Sequence, residues 1–126
     1  MRATFISMCA VLILALAACF GSMAAQFRAL DRLDALRAEA LELVQQKNTN
    51  AASAKLTELA AQFDREAALA VFAFHDDLHE AFRNVVDAQV ALQCGDWDDT
   101  QQALAQLREA LYHMRQHEGF SFTNLY

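Results

Sequence analysis

The chain has no proline and only three glycines among its 126 residues. Proline and glycine are the poorest helix formers, and alanine, leucine, glutamine and glutamate dominate instead, so helix propensity is high nearly everywhere. Cysteine is also scarce. Only Cys94 lies beyond the apolar N-terminal stretch, so the remainder of the chain has no intramolecular disulfide available and its fold must rest on helix packing.

Catalytic signatures are missing as well. The sequence contains no Gly-rich phosphate loop, no nucleophile elbow and no His-Glu-x-x-His zinc motif. Cys94 is a lone thiol before a glycine and fits a packed helix end better than a nucleophile. The acid pairs Asp76/Asp77 and Asp98/Asp99 are adjacent, so on a helix they diverge and act as caps or solvated faces. We predict a protein that is not an enzyme and holds no cofactor.

Basic residues are also few relative to acidic ones. From residue 26 onward there are 9 basic and 16 acidic residues, a net charge of −7. This balance argues against nucleic acid, or an anionic lipid surface, as the main partner.

The longest uncharged run covers residues 3–27, between Arg2 and Arg28. Its 25 residues exceed the roughly 20 that a helix needs to cross a bilayer core. The run is also typical of an export signal, because a positive N-terminus precedes an apolar core and then small residues. We therefore predict a membrane anchor or signal segment over residues 1–25 and an exported domain over residues 26–126.

Three fates of this segment remain open. It can stay as an uncleaved anchor. Residues 16–19 (Leu-Ala-Ala-Cys) resemble the lipobox of bacterial lipoproteins, which makes Cys19 a candidate lipid anchor. Residues 22–24 (Ser-Met-Ala) suit ordinary signal peptidase. Arginines follow the run as well as precede it, so the count of positive charges does not fix orientation cleanly. All three fates place the remaining chain outside the cytoplasmic membrane. We predict that the protein is held at the cytoplasmic membrane, with the domain on its extracytoplasmic face.

Apolar residues recur at steps of three and four along the exported part and predict amphipathic helices. The first covers residues 26–47 and continues out of the membrane segment, with Leu36 or Arg37 on its apolar face. The second begins near residue 51 with Asn50 as N-cap. The last opens at the N-cap Asp96 and runs to Gly119. We predict an all-α fold, with a transmembrane or signal helix followed by an antiparallel up-down bundle of about four helices.

Residues 51–94 contain no helix breaker, yet one straight helix there conflicts with the membrane. The first exported helix extends about 33 Å from the membrane, at about 1.5 Å per residue. An antiparallel second helix that starts at residue 51 covers the same distance and reaches the lipid again near residue 72. Further residues would carry several charges into hydrocarbon. We therefore predict a turn over residues 74–77, with Asp77 as N-cap and Glu80 as its box partner. The third helix then carries Leu78, Phe82, Val85 or Val86, Gln89 and Leu92 on its apolar face and stops at the C′ residue Gly95.

Two leucine pairs give a faint internal repeat. Leu56/Leu59 and Leu104/Leu107 each begin a helix after a polar turn, which agrees with two packed hairpins.

Three short motifs carry a family resemblance. Residues 72–78 match an aromatic-x-x-His-acidic-acidic-aliphatic stretch, residues 111–114 a Leu-x-His-aliphatic helix end, and residues 121–126 a Ser-aliphatic-x-Asn-aliphatic-aromatic terminus. In these the chain resembles the domain-of-unknown-function 4363 family, small bacterial proteins with an N-terminal membrane segment and a helical exported part. It departs from that pattern at Phe63, often tryptophan, and at Phe74, commonly an acid. The resemblance implies the architecture and no activity.

The histidines are the candidate metal ligands. His75 and His79 are four residues apart, as are His113 and His117, so each pair shares a helix face. In antiparallel third and fourth helices the two pairs lie opposite one another at the membrane-facing end. Such a set suits zinc or copper, with Asp76 or Glu118 as extra ligand or orienting partner. The alternative is that all four are structural or surface residues.

A group of aromatic residues forms the second candidate surface, at the end next to the bilayer. Its members either close the base of the core, with the C-terminal tail folding back, or contact the membrane or an integral membrane partner. We predict a non-enzymatic accessory subunit for a membrane partner, and the alternative function is an exported metal-binding or metal-sensing bundle. The aromatic residues of this second candidate surface are Phe72, Phe74, Phe120, Phe122 and Tyr126.

Overall fold

The fold is a bundle of four helices. The computed structural model describes the backbone of residues 1–67 and 75–123 and the side chains of residues 1–67 and 76–116. Over these residues the chain is helical and has no strand, which confirms the predicted all-α class with an N-terminal apolar helix. The helices are α1 (Arg2–Gln45), α2 (Thr49–Ala67), α3 (His75–Gln93) and α4 (Trp97–Thr123).

Each helix packs against two neighbours, α1 against α2 and α4, and α3 against the same two helices. Ion pairs show that α2 and α4 run antiparallel to α1. Lys55 near the start of α2 pairs with Glu39 near the end of α1, at 2.9 Å. Arg115, late in α4, pairs with Asp31 at 2.7 Å. This arrangement is the predicted up-down bundle.

The core contains one stripe from each helix, and the stripe of α3 differs from the prediction. Ala81 and Ala88 are fully buried there, whereas Phe82 is only partly buried and Gln89 lies at the boundary. Phe82 packs its ring edge on Phe63 of α2, with centroids 6.0 Å apart. Since small residues let helices approach closely, the alanines take the inner positions and the larger Phe82 fills the seam toward α2.

The two hairpin turns have the same construction, 48 positions apart. Lys47 after α1 has φ +57° and Gly95 after α3 has φ +72°. In both turns the next residue donates its N–H to a carbonyl five positions back, Asn48 to Leu43 O at 3.0 Å and Asp96 to Ala91 O at 2.9 Å. These are Schellman motifs. The predicted C′ role of Gly95 is confirmed.

The same two residues that close these turns also begin the next helices. Asn48 Oδ1 accepts the N–H of Ala51 at 3.2 Å, and Asp96 Oδ1 accepts the N–H of Asp99 at 3.0 Å. Asp96 is thus the N-cap that we predicted. Asn50 is not, because α2 starts at Thr49, before it.

Two predicted helix boundaries are wrong. Helix α3 already includes residue 77, so Asp77 lies in its first turn instead of capping it. Helix α4 continues through Gly119 to Thr123, since a single glycine lowers helix propensity without ending a helix. The prediction of two helices within residues 51–94 is confirmed, because α2 and α3 are separate helices that pack against each other. Of the turn predicted over residues 74–77, residues 75–77 are helical, and residue 74 lies outside the described residues.

Helix α1 runs unbroken from the apolar segment into the bundle, as predicted. Its large apolar side chains from Met1 to Phe20 are exposed, and burial begins only at Ala29. Within the described residues it is the one helix long and apolar enough to cross a membrane, a property that signal sequences share. A single helix therefore forms both the apolar N-terminal segment and one wall of the bundle.

Candidate functional site

Of the four histidines in the predicted metal site, the structure describes the side chains of two, His79 and His113. His79 on α3 and His113 on α4 are both exposed. His113 lines the groove between these helices together with Asp77 and Glu80, whereas His79 does not line it. The reason is the helical period, since two steps of 100° turn His79 to another face than Asp77.

No three His, Cys, Asp or Glu side chains form a group suited to a metal ion in the part of the chain whose side chains are described. His75 and His117 belong to α3 and α4, but their side chains lie outside that part, as does Glu118. The four-histidine metal site, with zinc or copper, stays a prediction.

The predicted aromatic surface also falls largely outside the described residues. This is the case for Phe72, Phe74 and Tyr126 altogether, and for the side chains of Phe120 and Phe122. The backbone at the last two positions is helical. Both alternatives for these residues, closing the base of the core or contacting the membrane or a partner, therefore stay predictions.

The candidate lipid anchor Cys19 is an exposed residue within α1. Lipid attachment and signal cleavage there stay predictions.

The first well-defined site is the base of the bundle, where α1 leaves its apolar segment. Arg115 of α4 lies over the Phe27 ring, with its guanidinium carbon 5.4 Å from the ring centroid. The same guanidinium pairs with Asp31 at 2.7 Å. Helix α4 is thereby attached to α1 directly after the last apolar residues.

Helix α2 is attached at the same level by a buried carboxylate. Glu66 is 6% exposed, and its Oε1 accepts hydrogen bonds from Arg32 of α1 and from Gln62. Its other oxygen, Oε2, is buried and has no hydrogen-bond partner among the described residues. The Arg32–Glu66 pair and the Arg115 contacts therefore connect α2 and α4 to α1 at the end of the bundle next to the apolar segment.

The second site is a groove along the α3–α4 seam, which we name the acidic groove. It consists of two clefts of about 530 and 390 Å³ that share Gln106. Among the described residues that line it, six are acids and none is lysine or arginine. The acids are Asp77, Glu80, Asp87, Asp96, Asp99 and Glu109.

No ion pair neutralises these six carboxylates among the described side chains. The five ion pairs there all involve residues of α1 or α2. At the far end of the groove the charge of Asp96 raises the pKa of Asp99, with smaller contributions from burial, a hydrogen bond to Asp96 and the charge of Asp98. On α1 and α2, by contrast, Lys55 donates hydrogen bonds to Glu39 and Glu58, which raise the pKa of Lys55, so these two acids have a cationic partner.

Our sequence reasoning missed the groove, although a signal was present. Residues 26–67 contain six basic and seven acidic residues, whereas residues 75–123 contain three basic and nine acidic ones. The net charge of −7 is therefore almost all on the second hairpin. Counting charge by hairpin would have indicated an acidic face.

Comparisons of the chain with protein-family models, with curated proteins and with solved structures give no match. The resemblance to the domain-of-unknown-function 4363 family accordingly stays a prediction.

Proposed function

We propose that this protein is a membrane-anchored accessory subunit that binds an integral membrane partner through its helical bundle, on the extracytoplasmic face. It acts by binding and not by catalysis. The apolar part of α1 is the anchor, and the bundle is the binding unit.

The continuity of α1 is the observation that supports this proposal most. Exposed apolar residues such as Val11 and Leu16 belong to the same helix as the core residues Leu33 and Val44. An unbroken helix transmits its orientation along its length, so a bilayer around the apolar part would hold the bundle in a set direction. A released globular protein has no need of such a connection.

The contacts at the base of the bundle agree with this role. Arg115 contacts both Phe27 and Asp31, and Arg32 pairs with Glu66, so α4 and α2 are fastened to α1 beside its apolar part. Aromatic and arginine side chains are common at the level of the lipid headgroups. A bundle fastened in this way presents its α3–α4 seam laterally, toward neighbouring membrane proteins.

The exposed thiol of Cys94 tests the proposed placement. Cys94 lies at the end of α3 farthest from the apolar segment, whereas Cys9 and Cys19 lie within that segment. We expect a membrane-impermeant maleimide to label Cys94 in intact spheroplasts, and Cys94→Ser to remove the label. Labelling of Cys94 only after lysis would contradict the extracytoplasmic assignment.

A further inference from the structure

We propose that the acidic groove binds a helical segment of the membrane partner that carries lysine or arginine side chains along one face. This inference rests on the proposed accessory function and adds the binding surface and the chemistry of the partner. The groove and its occupant are complementary in charge and in length.

Charge is the first argument. Glu80, Asp87 and Glu109 are exposed carboxylates on facing helices, and none of them has an ion-pair partner in the described part of the chain. Like charges brought together along one seam repel each other. A cationic segment relieves that repulsion and is steered toward the groove.

The apolar lining is the second argument. Ala91, Ala103 and Ala110 line the groove between the acids, and Val90 beside them is 54% exposed. Lysine and arginine pack their aliphatic stems on apolar surface while their charged ends reach carboxylates. The mixture of acids and small apolar residues therefore suits basic side chains better than it suits isolated cations.

Length is the third argument. The groove extends from Asp77 at one end of α3 to Cys94 at the other, which corresponds to about 26 Å of helix. A helical segment of about 18 residues matches that distance. Anionic lipid and nucleic acid are repelled by the same charges. A second copy of this chain brings a net charge of −6 and is disfavoured as well.

The test uses the full chain in nanodiscs of zwitterionic lipid. The probe is a labelled amphipathic helical peptide of about 18 residues with lysines on one face, and the control peptide has glutamine in their place. We expect saturable binding of the lysine peptide that weakens between about 50 and 300 mM salt, because screening acts on exposed charges. Glu80→Gln with Glu109→Gln is expected to weaken binding about fivefold or more at low salt.

A matched pair of substitutions outside the groove gives the control. Glu42→Gln with Asp64→Asn removes the same two charges from exposed positions on α1 and α2 and should leave the affinity unchanged. A benzophenone on Cys94 should crosslink the bound lysine peptide. The same reagent on Ala61→Cys, in a Cys94→Ser background, should not, because Ala61 is exposed on α2.

Each other outcome would overturn the inference. Absence of binding, or equal weakening by both pairs of substitutions, would show that the groove is not the site. Self-association that Glu80→Gln with Glu109→Gln abolishes would assign the groove to a second copy. These results leave anchoring and Cys94 topology unaffected, so failure of this inference is distinguishable from failure of the proposed function.

Discussion

Arg32 holds Glu66 by two hydrogen bonds to a single oxygen. Its Nε lies 3.0 Å and its Nη2 2.8 Å from Glu66 Oε1. Gln62 donates to the same oxygen at 2.7 Å, and Oε2 is buried with no partner in the part of the chain that the structure describes. Arg32 therefore supplies the ion-pair partner of a carboxylate that water reaches poorly, at the end of the bundle next to the apolar segment.

Arg32→Ala should destabilise the bundle by about 1–2 kcal/mol, because it leaves a buried carboxylate with Gln62 as its remaining donor. The cost is moderated because the Arg32 side chain is 52% exposed. Glu66→Leu should be close to neutral, since it removes the charge and the unpartnered oxygen together. Denaturant titration of the full chain in detergent measures both.

The double variant provides the control for this pair. In a Glu66→Leu background, Arg32→Ala should cost less than about 0.5 kcal/mol. Additive costs would show that Arg32 stabilises the bundle by some other contact.

Because both turns place one residue in the left-handed conformation, we expect glycine to stabilise either turn and its replacement to destabilise it. Lys47 adopts a left-handed conformation that glycine adopts without strain, so Lys47→Gly should stabilise the protein by about 0.5–1 kcal/mol. Gly95→Ala should destabilise it by about 1 kcal/mol. A Cβ at residue 95 meets no atom within 4 Å, so the cost is backbone strain and not a clash.

Thermal unfolding of these variants measures the effect. Gly95→Asn should recover part of the loss, because asparagine tolerates the left-handed region. Equal melting temperatures for the wild type, Lys47→Gly and Gly95→Ala would contradict the assignment of both turns.

The pKa of Asp99 should depend on Asp96. The folded-state pKa lies above the ordinary 3.8, so the folded protein binds this proton more tightly than the unfolded chain does. The contribution of Asp99 to stability is thus largest below that ordinary value and decreases as the pH rises through the raised pKa. Asp96→Ser keeps an N-cap and removes the charge, so the pKa of Asp99 should fall toward 3.8.

Carboxyl carbon NMR titration follows this pKa directly. An unchanged pKa of Asp99 in Asp96→Ser would show that the neighbouring charge is not its main cause.

Helix α3 allows a direct test of which residues face the core. Ala88 is fully buried and Gln89 lies at the boundary. Ala88→Leu should destabilise the bundle by about 1–3 kcal/mol through overpacking, whereas Gln89→Leu should change stability by less than about 0.5 kcal/mol. A larger loss of stability for Gln89→Leu than for Ala88→Leu would show that Gln89 faces the core, as we predicted from the sequence.

The sequence was most informative where the signal is local. Gly95 and Asp96 were predicted as a helix end and a cap because backbone conformation and capping depend on single residue types. The last helix was predicted from apolar residues at steps of three and four, because large aliphatic residues at helical spacing have few other roles. The leucine pairs that indicated two hairpins fit the matching turns at Lys47 and Gly95.

Features that depend on packing could not be predicted in the same way. Alanine is compatible with core and surface alike, so the inner positions of Ala81 and Ala88 had no signal. Leu36 and Arg37 are adjacent, and either could face the core. The structure buries Arg37, whose Nε pairs with Asp34 at 2.7 Å.

The sequence indicated the acidic groove only weakly, because the total net charge does not show how the acidic residues are distributed along the chain. Its acids come from two helices, and their proximity follows from the register of α3 against α4. The sequence gives no direct measure of that register.

The most direct test of the central claim is in-cell crosslinking of the tagged full-length protein, followed by purification from solubilised membranes. We predict that one membrane protein is recovered in constant ratio to this chain, and that Glu80→Gln with Glu109→Gln lowers that ratio while Glu42→Gln with Asp64→Asn does not. Recovery of the chain alone, in repeated experiments with crosslinkers of different length, would contradict its role as an accessory subunit.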